Sequence, residues 1–305
     1  MQLSNQSLHL HLLRYRLGKY AIRILMYASA ALVVLETIAP LAWMFISSIS
    51  EGRELLSMPP RWLPERPTLE RYESLFITGR VSLLGATTSS PAGTMLRGLY
   101  NSLLIAGVTT AVCLMFGLLT SYATARFRFV GRQAFLFGIL ALQMLPAIAT
   151  VIPLFFIFRM IGLVDSPLSL IITYSGFTIT YIVWVMTGYI RSLPIELEEA
   201  ALIDGATRLG AFLRITAPLA LPGIVAVGIL SFLTAWNEFL FALILSHSLG
   251  SKTLPVIISE FSTQFGLDYG MIMTGGVIAS LPPVLLALFF QRYLVQGLTA
   301  GSVKG

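Results

Sequence analysis

Apolar residues in this chain are mostly not interleaved with polar ones at a helix or strand period; they run on. Nearly unbroken apolar stretches cover residues 21–47, 97–124, 133–158, 168–190, 219–245 and 271–294. Each is near or above the roughly 20 residues that an α-helix needs to cross a bilayer. Lipid offers no partner for a bare N–H or C=O, so the pattern predicts six membrane-spanning helices. The first run is too long for a signal-peptide core and is expected to stay as a tilted signal anchor. Residues 1–20 ahead of it are polar and basic, with His9, His11, Arg14, Arg16 and Lys19.

Two stretches depart from this pattern. Residues 48–96 mix Pro59, Pro60, Pro64 and Pro67 with Arg61, Trp62, Arg66, Arg71 and Tyr72, and read as an external loop. Residues 191–223 are charged and capped where their flanks are oily. Pro194 suits a first helical turn, and Glu196, Glu198 and Glu199 crowd the positive end of that helix. Asp204-Gly205 then stops it. Thr207 is placed to cap a second short helix with Leu209, Phe212, Leu213 and Ile215 on its apolar side, and Pro218 with Pro222 is expected to block its continuation. The organisation expected is 1–47 (N-terminus and first span), 48–96 (loop) and 97–305 (a five-span core containing the 191–223 hairpin).

Composition agrees with the pattern. Hydrophobic residues make up 56% and charged residues 11% of the chain, against roughly 25% charged in soluble domains. The net charge of +6 comes from arginines dispersed between spans, which suits positive-inside anchoring and not nucleic acid. Counting sides from an inside N-terminus puts Arg126, Arg128, Arg132, the hairpin and the C-terminus on that same side. The single cysteine, Cys113, lies in a span and allows no internal disulfide.

Polar residues inside the spans are few and therefore informative. Gly117, Ser121 and Ala125 recur every four residues and predict a smooth helix-packing seam. Glu36, Asn101 beside Ser102, Gln143 and Asn237-Glu238 sit at or near membrane depth, where an unsatisfied polar group costs about 2–7 kcal/mol. They are expected to face the bundle interior, as interhelical hydrogen bonds or as the lining of a transport pathway.

The hairpin's residue identities go further. Glu199-Ala200-Ala201, Gly205, Ile215 and Pro218 resemble the EAA loop of membrane subunits of bacterial ABC importers, with Ala217 where that family has leucine. Trp236-Asn237-Glu238-Phe239 looks like a motif of carbohydrate-type permeases. Gln291-Arg292 and the tail from Gly297 to Gly305 are similar to the C-terminus of the second membrane subunit of maltose-type importers. The likeness covers 97–305 well and is weak before it. It implies an all-α, integral membrane six-helix permease bundle with a cytoplasmic helix-turn-helix coupling loop. It also implies a homologous partner permease, two ATPase subunits, an external solute-binding protein and a sugar as cargo. Glu199, Ala200, Ala201, Asp204, Gly205, Phe212, Ile215 and Pro218 would then face an ATPase subunit. Gly301, Ser302, Val303, Lys304 and Gly305 would reach between the two ATPase subunits. Asn101, Gln143, Trp236, Asn237 and Glu238 become candidates for the pathway. Lys252, Glu260, Phe261, Gln264, Phe265 and Asp268, between the last two spans, become candidates for touching the binding protein.

Enzymatic readings lack their residues. No G-x-x-x-x-G-K-[ST] phosphate loop occurs, so ATP and Mg are expected on the partner subunits and no cofactor in this chain. His9, His11 and His247 have no zinc spacing, and no serine–histidine–carboxylate set stands out. Two alternatives stay open: an ion-coupled secondary carrier, against which the lack of an inverted repeat counts, and a membrane-embedded enzyme of lipid or glycan metabolism.

Overall fold

The computed structural model describes residues 2–59, 61–76, 91–263 and 266–299. These form two compact units, one made of 1–69 with 269–277 and the other of 70–268 with 278–305. Among the described residues the fold is helical apart from a two-residue antiparallel ladder, in which Ser262 pairs with Leu267 and Thr263 with Gly266.

In the first unit, helix α1 (Gln2–Ile49) is 48 residues long. At about 1.5 Å per residue it far exceeds a bilayer's thickness, so the polar start of the chain continues the helix of the first apolar run instead of preceding it as a loop. Glu36 lies exposed on α1. A single-turn helix, α2 (Gly52–Leu55), follows. Beyond it the chain turns back: the indole of Trp62 meets that of Trp43 edge-on at 5.1 Å, and the Thr68 N–H donates to the Ile49 carbonyl at 2.8 Å.

The second unit opens with α3 (Glu70–Phe76). Its core is three helices: α4 (Pro91–Arg126), α7 (Pro167–Ser192) and α11 (Leu221–Trp236). Cys113, Ile182, Met186, Ile190 and Val227 are buried between them. The seam expected from Gly117 and Ser121 is the α4–α7 contact. A Cβ at Gly117 would stand 2.8 Å from Ile182 Cγ2, and the buried Ser121 hydroxyl donates to the Gly117 carbonyl at 2.6 Å. α4 starts at Pro91, six residues before the apolar run does.

Two of the expected spans are broken. The 133–158 run becomes α5 (Arg132–Gln143) and α6 (Ala147–Met160), bent by 93°. Pro146 explains the break: it donates no hydrogen bond, and it disfavours helical geometry at Leu145. The 219–245 run ends its helix at Trp236, and a separate α12 (Leu240–Leu245) follows. Among the described residues four helices are each long and apolar enough to cross a membrane, and the number rises to six if the bent pairs Arg132–Gln143 with Ala147–Met160 and Arg208–Leu219 with Leu221–Trp236 each count as one span. After α12 come α13 (Leu254–Ser259), the short ladder and α14 (Tyr269–Thr299).

Candidate coupling site

The 191–223 stretch is a hairpin of short helices. Helix α8 (Glu196–Ile203) starts two residues after Pro194, with Ile195 at its N-cap, so Pro194 ends the preceding chain instead of opening the helix. The helix stops in a Schellman motif. The Ala206 N–H donates back to the Ala201 carbonyl at 2.9 Å and the Gly205 N–H to the Leu202 carbonyl at 3.1 Å, with Gly205 left-handed at φ +87°. The Thr207 hydroxyl then accepts from the Gly210 N–H at 3.1 Å and caps α9 (Arg208–Ala211). A π-turn at Phe212–Thr216 and a last turn, α10 (Ala217–Leu219), carry the helix through Pro218. The chain bends by 80° into α11 at Ala220, so the expected stop at Pro218 is a bend two residues later.

The tip of this hairpin is an exposed surface. Ile203 is 86% exposed, and Glu199, Ala200, Asp204, Gly205, Leu209, Leu213 and Pro218 are exposed beside it. Ala201 and Ile215 are half-buried. Phe212 faces the other way, into the core, at 4.8 Å from the Tyr122 ring.

Its base holds a contact that sequence reasoning missed. Glu198, which the sequence groups with Glu196 and Glu199 as helix-end charge, is buried. One carboxylate oxygen accepts from Arg126 Nε at 2.8 Å and the other from the Tyr122 hydroxyl at 3.1 Å. Arg126 Nη2 also donates to the Leu193 carbonyl at 3.1 Å, and the side chains of the ion pair are only 6% and 7% exposed. The Arg208 guanidinium covers the Phe127 ring at 5.3 Å. An ion pair taken out of water is favourable only when the remaining lone pairs and protons are also engaged, and here both carboxylate oxygens and two guanidinium nitrogens are. An arginine closing an apolar span reads as an interfacial anchor, so nothing in the chain's pattern points to this partner.

Four of the pathway candidates are engaged in hydrogen bonds within the chain. Asn101 is buried and spends its amide on two backbone carbonyls, Leu249 at 3.0 Å and Lys252 at 2.9 Å. Gln143 donates to the Thr180 hydroxyl at 2.9 Å, beside the α5–α6 break. Trp236 is buried and donates to the Ala279 carbonyl at 3.1 Å. Glu238 caps α12, accepting from the Phe241 N–H at 2.9 Å and the Ala242 N–H at 3.1 Å. Asn237 is exposed. A groove of about 490 Å³ lies along α6 and α7, lined by Leu145, Pro153, Phe158, Phe177 and Thr180 among others. That lining is too apolar to satisfy the hydroxyls of a sugar.

Asn101 belongs instead to a set of side chains that pin residues 246–254. Asp165, left-handed at φ +64°, accepts from the His247 and Ser248 N–H groups at 2.8 Å each and from the Ser251 hydroxyl. The Ser102 hydroxyl accepts from the Leu254 N–H at 2.8 Å. Burial pushes the Asp165 carboxyl up, but the hydrogen bonds from Ser248, Ser251 and His247 outweigh it and hold the group well below the usual carboxylate range. Of the expected binding-protein contacts, Lys252 and Glu260 pair with each other at 2.6 Å. Phe261 is buried and Asp268 is half-buried. Gln264, Phe265 and the tail Gly301–Gly305 lie outside the described residues.

Residues 81–300 match the family described as the binding-protein-dependent transport system inner membrane component. The chain belongs to that family. The permease is 32% identical to the sulfoquinovosyl glycerol transport system permease protein SmoH of Agrobacterium fabrum, over 92% of this chain and 94% of that one. It is 35% identical to the trehalose transport system permease protein SugB of Mycobacterium tuberculosis, over 90% and 95%. Its fold matches a chain of a bacterial ABC transporter involved in the import of the acidic polysaccharide alginate, with a TM-score of 0.70 at 22% identity, over 89% of the permease and 96% of that chain. The permease is thus a multi-pass helical membrane component of an ABC importer.

Proposed function

We propose that the permease carries a sugar or related glycoside into the cell as one of two homologous membrane subunits. It receives the cargo from an external binding protein, and two separate ATPase subunits hold ATP and Mg and do the hydrolysis. The observation that carries this reading is the hairpin: an exposed apolar tip at Ile203, clasped at its base, on a chain with no phosphate loop. The hairpin and both termini face the cytoplasm, and the tail Gly301–Gly305 reaches between the ATPase subunits. A sugar is favoured because relatives at 31–35% identity are named for sulfoquinovosyl glycerol, diacetylchitobiose and trehalose. The second membrane subunit is favoured by α1, which is exposed from Ile22 to Ala42 and carries Glu36 within that stretch. A carboxylate at that depth requires protein or water against it.

In this account, closure of the ATPases draws the hairpins together, and α11, which leaves the hairpin through the 80° bend, swings with it. Lys252, Glu260 and Asp268, on or beside the pinned loop, stand toward the binding protein. The test is uptake of a labelled disaccharide panel into vesicles containing the complete complex. Uptake is expected only with enclosed ATP and loaded binding protein. Uptake driven by an ion gradient without ATPase subunits would make the chain a secondary carrier instead.

A further inference from the structure

We infer that Glu198, Arg126 and Tyr122 are positioning residues for energy coupling, a clasp that makes the hairpin and the ends of α4 and α7 move as one body. The inference rests on the proposed function and adds to it the route by which motion enters the bundle. The hairpin has one covalent connection to α7, at Leu193, and one to α11, at the Ala220 bend. Both are single-chain links with a break in the helix, and a push on Ile203 could be lost in either by bending alone.

The clasp removes that freedom. Arg126 ends α4, Glu198 lies in the first turn of α8, and the Leu193 carbonyl that Arg126 also holds is the C-cap of α7. Three elements therefore meet on one guanidinium. Tyr122, one turn earlier on α4, holds the second oxygen of Glu198 and packs on Phe212 of the hairpin's other arm. Both arms are thus fixed to α4, which the chain does not connect to the hairpin directly. The α4–α7 seam at Gly117 and Ile182 then extends this rigidity into the membrane. Because the pair is out of water, it is little screened by salt and has no solvated alternative to relax into.

The experiment compares the complete wild-type complex with Tyr122→Phe, Glu198→Gln and the exchange Arg126→Glu with Glu198→Arg. It measures recovery of ATPase subunits, ATP hydrolysis and sugar taken up per ATP. The first two variants are expected to be recovered with ATPase bound and still hydrolysing, while sugar per ATP falls by about fivefold or more, within the usual range of coupling energies. The exchange is expected to restore most of that loss. Variants recovered with a wild-type ratio, or an exchange that restores nothing, would overturn the clasp. Should the single variants assemble poorly, Arg126→Cys with Glu198→Cys in a Cys113→Ala background is bridged with a short bis-maleimide. A bridge that restores sugar per ATP supports the inference, and one that restores recovery but not the ratio shows a merely structural contact. A wild-type complex that fails to couple ATP to uptake would overturn the proposed function and this inference together, whereas coupled wild type with equally coupled variants overturns the inference alone.

Discussion

The side-chain amide of Asn101 donates to the carbonyl of Lys252 at 2.9 Å, joining residues 151 positions apart in the chain. With the second bond to Leu249, both of its N–H groups are spent on loop backbone. Asn101→Ala would leave two carbonyls without their donors, at a cost of about 1–3 kcal/mol each where they are buried. Protease sensitivity of the 246–254 loop is expected to rise, and the same loss is expected with every cargo tested. A change in sugar selectivity with an unaltered loop would place Asn101 in the pathway instead.

Asp165 should make the same loop pH-sensitive in a defined direction. Its folded pKa is depressed, so its stabilising contribution is complete above the unfolded value of about 3.9 and is lost as pH falls through the folded value. Amide hydrogen exchange at His247 and Ser248 is expected to be faster in Asp165→Ala than in wild type at pH 6, with the difference shrinking below about pH 4. A difference that grows as pH falls would contradict the assignment.

Gly205 and Gly117 should fail for different reasons. At Gly205 a Cβ would meet open space, but φ is +87°, so the penalty is conformational, about 1–3 kcal/mol for a β-branched residue. Gly205→Val should weaken recovery of ATPase subunits, while Gly205→Asn, which tolerates the left-handed region, should largely keep it. Equal recovery for Val and Asn would remove the conformational argument.

Gly117 lies within a regular helix, and the obstacle is Ile182 at 2.8 Å from a built Cβ. Gly117→Leu should lower the thermal midpoint of the purified complex, overpacking of this kind costing about 1–3 kcal/mol. Ile182→Ala in the same chain should recover part of the loss. No recovery would mean that the seam is not where the added side chain collides.

Much of this molecule was legible in the chain. Long apolar runs have one solution in lipid, so their helices followed directly, and Asp204-Gly205 and Thr207 marked the hairpin turn because stop and cap signals are local. What escaped depended on distant partners. Arg126 at a span end carries no sign of Glu198, and Asn101 carries none of Lys252, because a side chain's hydrogen-bond partner is set by packing. The break at Pro146 was written in the sequence but outweighed by the apolar run around it. Asp165, between Gly162 and Pro167, carries no local sign of its role; its service as a pin required the 246–251 backbone to arrive from a helix far along the chain.

The central claim, that this hairpin docks on a separate ATPase subunit, is tested most directly by placing a photo-crosslinking amino acid at position 203, where the native isoleucine is 86% exposed. Irradiation of the complex in native membranes should yield one adduct joining the permease to the ATPase subunit, with a control probe at the buried position 182 yielding none. An adduct with lipid alone, or with another part of the permease, would contradict the claim.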